Sequence, residues 1–390
     1  MAANSSSATP IDILRRLVAF DTTSAKSNLE LIDFVTNFLD DHGIKAQTVH
    51  SDDGAKANLF ASIGPDVEGG VVLSGHTDVV PVTGQQWSSD PFSLIERDGR
   101  LHARGAADMK SFIAVALAMV PEFQARPLAV PIHLAFSYDE EVGCLGAPRL
   151  LERLAAVVPK PALAIVGEPS EMKVANSHRG INTFKTAVTG RPGHSSDPGA
   201  GVNAIAEAAE CIAFLTRLGS EFAAGRERGD AMAPDWTTVN VGLIEGGAAV
   251  NIIAEHCRFA WECRPEAGTD AEQVLARLRA FVESDVLPRI RAVTPDAAIN
   301  IEQDVMVPGL AAEPQSPAET LALALTGHNH CVDVPFASEA GLFQRAGIPA
   351  VVCGPGSAAQ AHQPDEFVTI DQVDACFAFM RRLADWAERR

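Results

Sequence analysis

The strongest constraint on this chain is a set of short apolar runs, far apart in sequence, that end in polar residues and alternate with helical patterns. Residues 71–74, 132–138, 162–166 and 350–353 are apolar enough to read as buried strands. Around them, apolar residues recur at helical spacing over residues 29–41, 109–120 and 372–388. Strands that alternate with helices build a largely parallel sheet covered on both faces. The middle of the chain is different. Residues 182–189, 237–243 and 256–264 alternate like half-exposed strands, 202–218 and 271–281 are helical, and 299–303 reads as a last strand. Strand, helix, two strands, helix, strand is the order of a small α+β sandwich close to the ferredoxin-like pattern. A chain of 390 residues exceeds what one core usually serves. The expected organisation is therefore an α/β domain with a mostly parallel sheet, residues 1–180 and 307–390, interrupted by an α+β domain at 181–306.

Composition removes several function classes. The formal charge of −19, from 31 basic and 50 acidic side chains, repels phosphate backbones and argues against nucleic-acid binding. No apolar run approaches the ~18 residues that span a membrane. The first ten residues lack a basic segment followed by an apolar one, so they read as a loose tail and the cytoplasm is the expected location. Seven cysteines, an odd count with no Cys-x-x-Cys pair, suggest neither a disulfide framework nor a thiolate zinc site.

Five segments place metal-binding side chains just after predicted strands. They are Ser74-Gly-His76-Thr-Asp78, Gly105-Ala-Ala-Asp108-Met-Lys110, Asp139-Glu140-Glu141, Gly167-Glu168-Pro169 and Ala361-His362-Gln363. Ligands of open α/β sheets gather beyond the carboxyl ends of the strands, which would bring these segments to one crevice. Singly, each has a plainer reading: a surface polar pair, a solvated acidic loop, or, for Asp108, the N-cap of the following helix. Together they supply two histidines and several carboxylates with no thiolate, a set suited to zinc, cobalt or manganese. Two divalent ions ~3.5–4 Å apart need one carboxylate shared between them. A Gly-x-Ser-x-Gly elbow, a His-Glu-x-x-His helix and a Gly-x-x-x-x-Gly-Lys loop are all missing from the sequence. Gly354-Pro-Gly356-Ser lacks the third glycine of a dinucleotide fingerprint and reads as a turn.

These segments resemble the M20 metallopeptidase family nearly end to end. The resemblance is carried by Ser74-Gly-His-Thr-Asp-Val-Val-Pro81, Arg104-Gly-Ala-Ala-Asp-Met-Lys110, Asp139-Glu-Glu141, Gly167-Glu-Pro-Ser170, Gly193-His-Ser-Ser-Asp-Pro198, Gly354-Pro-Gly-Ser357 and Ala361-His-Gln-Pro-Asp-Glu366. It implies two divalent metal ions per chain, zinc with cobalt able to substitute. Asp108 would bridge them, His76 and Glu168 would complete one site, and Glu141 and His362 the other. Asp78 would hold the far nitrogen of His76, and Glu140 would be the general base. A cis peptide is implied between Asp108 and Met109. The central insertion would be a lid and dimerisation domain, making a homodimer. Its His194 would approach the substrate carbonyl, while Asn251 and Arg264 would contact the substrate carboxylate. The turn at Gly356 would wall the acyl pocket, and Glu339 would face a substrate ammonium. Ser111 stands where glycine usually follows the Asp-Met-Lys segment, and Ser338-Glu339 where Thr-Glu or Thr-Asp is usual. The implied reaction is hydrolysis of a small N-acyl amino acid, with acetylornithine the expected substrate. Removal of another acyl group, as by a succinyl-diaminopimelate desuccinylase or an aminoacylase, stays open, as does dipeptide cleavage or a non-catalytic role binding metal or a partner.

Overall fold

The computed structural model describes residues 8–226, 236–266 and 270–390. Most of the expected N-terminal tail lies outside the described residues, but the tail ends earlier than expected. Thr9 caps a helix over Pro10–Val18, and Asp12 closes a reciprocal capping box with it. Ile13, Leu14, Leu17 and Val18 line the buried face of that helix. The chain divides into two compact units. One is Met1–His178 with Leu310–Val334 and Ser338–Arg390, and the other is Arg179–Gly309 with Pro335–Ala337.

The first unit is built on an eight-stranded sheet. Its strand order is Gln47–His50, Ala57–Ile63, Ile132–Ser137, Val71–His76, Leu163–Pro169, Ala350–Gly354, Ala175–His178 and Val332–Val334. The four apolar runs of the sequence are the four central strands, and they pair in parallel. Of the flanking pairs three are antiparallel, while Val332–Val334 pairs in parallel with Ala175–His178, so the sheet is mixed outside its centre. Every residue of Val71–His76, Ile132–Ser137 and Leu163–Pro169 is buried, which is why these segments show no alternation. The helix expected over residues 109–120 begins at Ser111, because Asp108 (φ −123°, ψ 90°) and Met109 (φ −136°, ψ 33°) leave the helical region. Phe112, Ile113, Val115 and Leu117 of Ser111–Ala118 are fully buried, so this helix is core rather than cover. Helices Leu29–Asp41 and Ile370–Glu388 each bury one stripe, as their spacing requires.

In the second unit four antiparallel strands lie in the order Thr238–Gly246, His256–Arg264, Ile181–Thr189, Ala298–Val307. Strands Ile181–Thr189 and His256–Arg264 alternate in burial, and their inward side chains Phe184, Val188, Phe259 and Trp261 meet helices Ala204–Ala223 and Glu272–Phe281. Phe184 and Trp261 stack with centroids 4.2 Å apart. The opposite side of each strand is wetter, the usual outcome when helices cover one face of an antiparallel sheet. All seven cysteines are unpaired, and six of them are buried. No helix among the described residues is long and apolar enough to cross a membrane.

Candidate metal centre

The parallel strands of the first unit end together and set the positions of the site. His76 is the last residue of Val71–His76, and Glu168 lies one residue from the end of Leu163–Pro169. Glu140 and Glu141 follow strand Ile132–Ser137, and His362 follows Ala350–Gly354 across a loop. Asp108 comes from the turn ahead of the buried helix. Its side chain caps nothing, since no side-chain cap bond is made at that helix start. Oδ1 of Asp108 lies 3.0 Å from Nε2 of His76, and Oδ2 lies 3.2 Å from Nε2 of His362. The peptide between Asp108 and Met109 is cis.

Two ligand groups result, and they share Asp108. His76, Asp108 and Glu168 form one; Asp108, Glu141 and His362 form the other, with the donor atoms of each group within 4.8 Å of one another. Nε2 of His362 is 3.0 Å from Oε2 of Glu141, and Nε2 of His76 is 3.8 Å from Oε1 of Glu168. Glu140 is in neither group. Burial pushes the carboxyls of Glu140 and Glu168 well above the usual carboxylate range, and burial with the charge of Asp108 does the same to Glu141 more mildly. Asp108 moves the other way: burial raises it, but the hydrogen bonds to His362 and His76 outweigh that and hold it low. Those bonds to Asp108 and Glu141 lift the imidazole of His362 to about 10. His76 is also raised, because Glu168, Asp108 and Asp78 together overcome its burial.

The donor set fits divalent cations. Oε1 of Glu141 and Oε1 of Glu168 are both buried without a hydrogen-bond partner, one in each ligand group. An unsatisfied buried polar atom costs about 1–3 kcal/mol, and more when charged. Oxygen and imidazole donors with no thiolate are what zinc, cobalt or manganese accept. Two cations held by Asp108 would satisfy both orphan oxygens and offset the crowded negative charge.

Other side chains hold the ligands in place, and here the structure adds to the sequence reading. Nδ1 of His76 is 2.9 Å from the backbone carbonyl of Asp78 and 3.5 Å from its carboxylate, so the carbonyl is the nearer acceptor. The Asp78 carboxylate instead accepts from the backbone N–H of Glu140 at 3.0 Å, that of Glu141 at 3.3 Å, and Oγ of Ser24 at 2.7 Å. Asp78 therefore fixes the loop that carries both glutamates. The thiol of Cys144 donates to Oε1 of Glu140 at 3.4 Å. Lys110 is completely buried, donates to the carbonyls of Leu17 and Phe20, and is pushed down to about 7 by burial. A Cβ on Gly167 would lie 2.0 Å from Cγ of Phe112, so only glycine lets the helix after Asp108 approach the strand that carries Glu168.

The expected substrate contacts fare differently. Gly356, at φ +93°, packs where an added Cβ would lie 3.1 Å from Cα of Ala107, one residue from Asp108. Glu339 has no exposed surface; its Oε2 accepts from Oγ of Ser74 at 3.1 Å, and its Oε1 is buried without a hydrogen-bond partner. His194, Asn251 and Arg264 belong to the second unit. There His194 and Ile252 form a β-bridge and Ser195 N donates to the carbonyl of Asn251, so His194 and Asn251 are brought together. Nδ1 of His194 accepts from the N–H of Ser196 at 3.2 Å, which leaves the proton of the neutral ring on Nε2. Arg264 pairs with Glu262 at 3.3 Å.

An α/β sheet that gathers two imidazoles around one shared carboxylate at its strand ends defines a dinuclear-metal hydrolase. The chain belongs to peptidase family M20/M25/M40, whose pattern matches residues 72–386. It is 32% identical to acetylornithine deacetylase of Pasteurella multocida (strain Pm70), over 92% of this chain and 91% of that one. With acetylornithine deacetylase of Myxococcus xanthus it shares 35% identity, over 95% of each. In structure it is similar to an M20 family metallo-carboxypeptidase from Sulfolobus solfataricus, with a TM-score of 0.75 at 17% identity over 98% of this chain and 99% of that one.

Because His362 is raised to about 10 in the metal-free site, it carries a proton at neutral pH that a cation must displace. Metal affinity should therefore rise with pH, by about tenfold per pH unit for each proton released. Calorimetric titration at pH 7 in buffers of different ionisation enthalpy should show release of at least one proton per chain. Buffer-independent heats would contradict the protonation of the His362 imidazole.

Proposed function

We propose that this chain removes the acetyl group from N2-acetyl-L-ornithine, giving ornithine and acetate, as a cytoplasmic step of arginine biosynthesis. The observation that carries a hydrolytic role is Glu140, a half-buried residue beside two ligand groups and part of neither, with its carboxyl raised by desolvation. The substrate is supported by relatives named acetylornithine deacetylase at 32–35% identity over nine-tenths or more of both chains. Bound zinc or cobalt would supply Lewis acidity for activating water and polarising the amide carbonyl.

The side chains do the rest. Glu140 takes a proton from water and returns it to the leaving amine, a task its raised pKa suits. Glu141, one residue on, is left to hold the cation, since a ligating carboxylate is a poor base. Asp78 separates these duties by fixing both backbone N–H groups. His194, with its proton on Nε2, donates to the developing oxyanion. Arg264 and Asn251 bind the α-carboxylate, with Glu262 yielding Arg264 to the substrate. The Gly356 turn limits the acyl group to a small one. Glu339, with its unpartnered Oε1, faces the substrate ammonium.

The test is kcat/KM over a panel of N-acyl amino acids with the wild type and Glu140→Ala. Acetylornithine should exceed succinyl-diaminopimelate by at least about tenfold, roughly 1.4 kcal/mol of transition-state preference. Glu140→Ala should lose at least ~10²-fold in turnover while keeping its metal. The reverse preference would move the chain to desuccinylation. Activity above about a hundredth of wild type in Glu140→Ala would remove it as the base.

The second unit supports a homodimer through a ferredoxin-like lid domain. Strand Thr238–Gly246 is an edge of its sheet and exposes Leu243 (72%) and Ile244 (57%), an apolar edge that pairing would cover. Sedimentation should give a dimer for the wild type and a monomer for Leu243→Glu with Ile244→Lys. A wild-type monomer at micromolar concentration would contradict it.

A further inference from the structure

Glu366 follows His362 by four residues, is fully buried, and is a member of neither ligand group. Its Oε2 accepts from Nη1 of Arg104 at 2.6 Å and from the N–H of Gly105 at 3.1 Å. Its Oε1 accepts from the N–H groups of Ala107 at 2.8 Å and Asp108 at 3.1 Å. Four donors thus face two oxygens. Only a carboxylate can accept from all four, because an amide of the same shape would turn its own N–H groups on one pair.

Arg104 carries the contact further. It is 1% exposed, its Nη2 donates to Oε1 of Gln85 at 2.5 Å, and Nη1 lies 3.4 Å from the carbonyl of Gln363. Gln85 in turn donates from Nε2 to the carbonyl of His362 at 2.8 Å. The guanidinium also covers the ring of Trp87, 5.0 Å from its centroid. His362 and Asp365 both sit at positive φ, +63° and +55°, a conformation that non-glycine residues keep only where neighbours enforce it. The segment bearing His362 is therefore tied at both ends to the turn bearing Asp108. His76 has no such need, since its strand ladder holds it opposite Ser137.

We propose that Glu366 and Arg104 form a clamp that fixes the separation of Asp108 and His362, making Glu366 a positioning residue for the metal ion held by Asp108, Glu141 and His362. The inference rests on the two-metal reading. It is tested in the full chain by titrating Zn²⁺ against a competing chelator and by recording Co²⁺ absorption spectra. Glu366→Gln should weaken one of two binding steps by about tenfold or more and leave the other within about twofold. The weakened step should be the one that His362→Ala removes, and the Co²⁺ bands of that site should shift. Glu366→Asp keeps the charge and should recover part of the loss. Gln85→Ala, at a half-buried position with little risk to folding, should weaken the same step by a smaller factor. Unchanged steps in folded Glu366→Gln or Gln85→Ala, or equal loss at both steps, would overturn the clamp. A single step in the wild type would instead overturn the two-metal reading beneath it.

Discussion

The site depends on one buried carboxylate placed between two imidazoles. Asp108 has an oxygen 3.0 Å from His76 and another 3.2 Å from His362, and everything else around it manages the consequences. Glu140, Glu141 and Glu168 crowd the same space, and burial with mutual repulsion raises all three. Such an arrangement costs stability until cations enter it, because buried like charges are poorly screened. The protein holds it together through the main chain. Asp78 grips the N–H groups of Glu140 and Glu141, and Glu366 grips those of Gly105, Ala107 and Asp108. Two carboxylates that bind no metal thus shape the loops of those that do.

The sheet provides what those loops stand on. Parallel strands end on one side, which brings His76, Glu168 and the Glu140 loop together. Close approach of the helix after Asp108 demands a glycine at position 167, where Phe112 fills the space a side chain would need. Burial of that helix and of Lys110 beneath it locks the turn from below. The metal ligands all belong to the first unit, whereas His194, Asn251 and Arg264 belong to the second.

Much of this was legible in the sequence because burial on both faces removes alternation. The four apolar runs could only be central strands, and five polar strand ends could only converge. The alternation of residues 182–189 and 256–264 likewise marked a sheet with one covered face. Other features were not legible. By local position alone Asp108 reads as an N-cap; the family resemblance makes it the shared residue, and its non-helical φ and ψ are what no local spacing shows. The burial of Glu339 against Ser74, 265 residues away, follows from no local pattern. Glu366 lies 262 residues from Arg104, and no local pattern joins them. Short-range spacing encodes strands and caps, while the partners of a buried charge are decided by the tertiary fold.

The central claim is that Asp108 is shared by two metal ions, and anomalous scattering from crystals grown with Zn²⁺ tests it most directly. The account predicts two peaks ~3.5–4 Å apart, one beside each Asp108 carboxylate oxygen. The first should contact His76 and Glu168, and the second Glu141 and His362. A single peak, or two peaks that do not share Asp108, would contradict it.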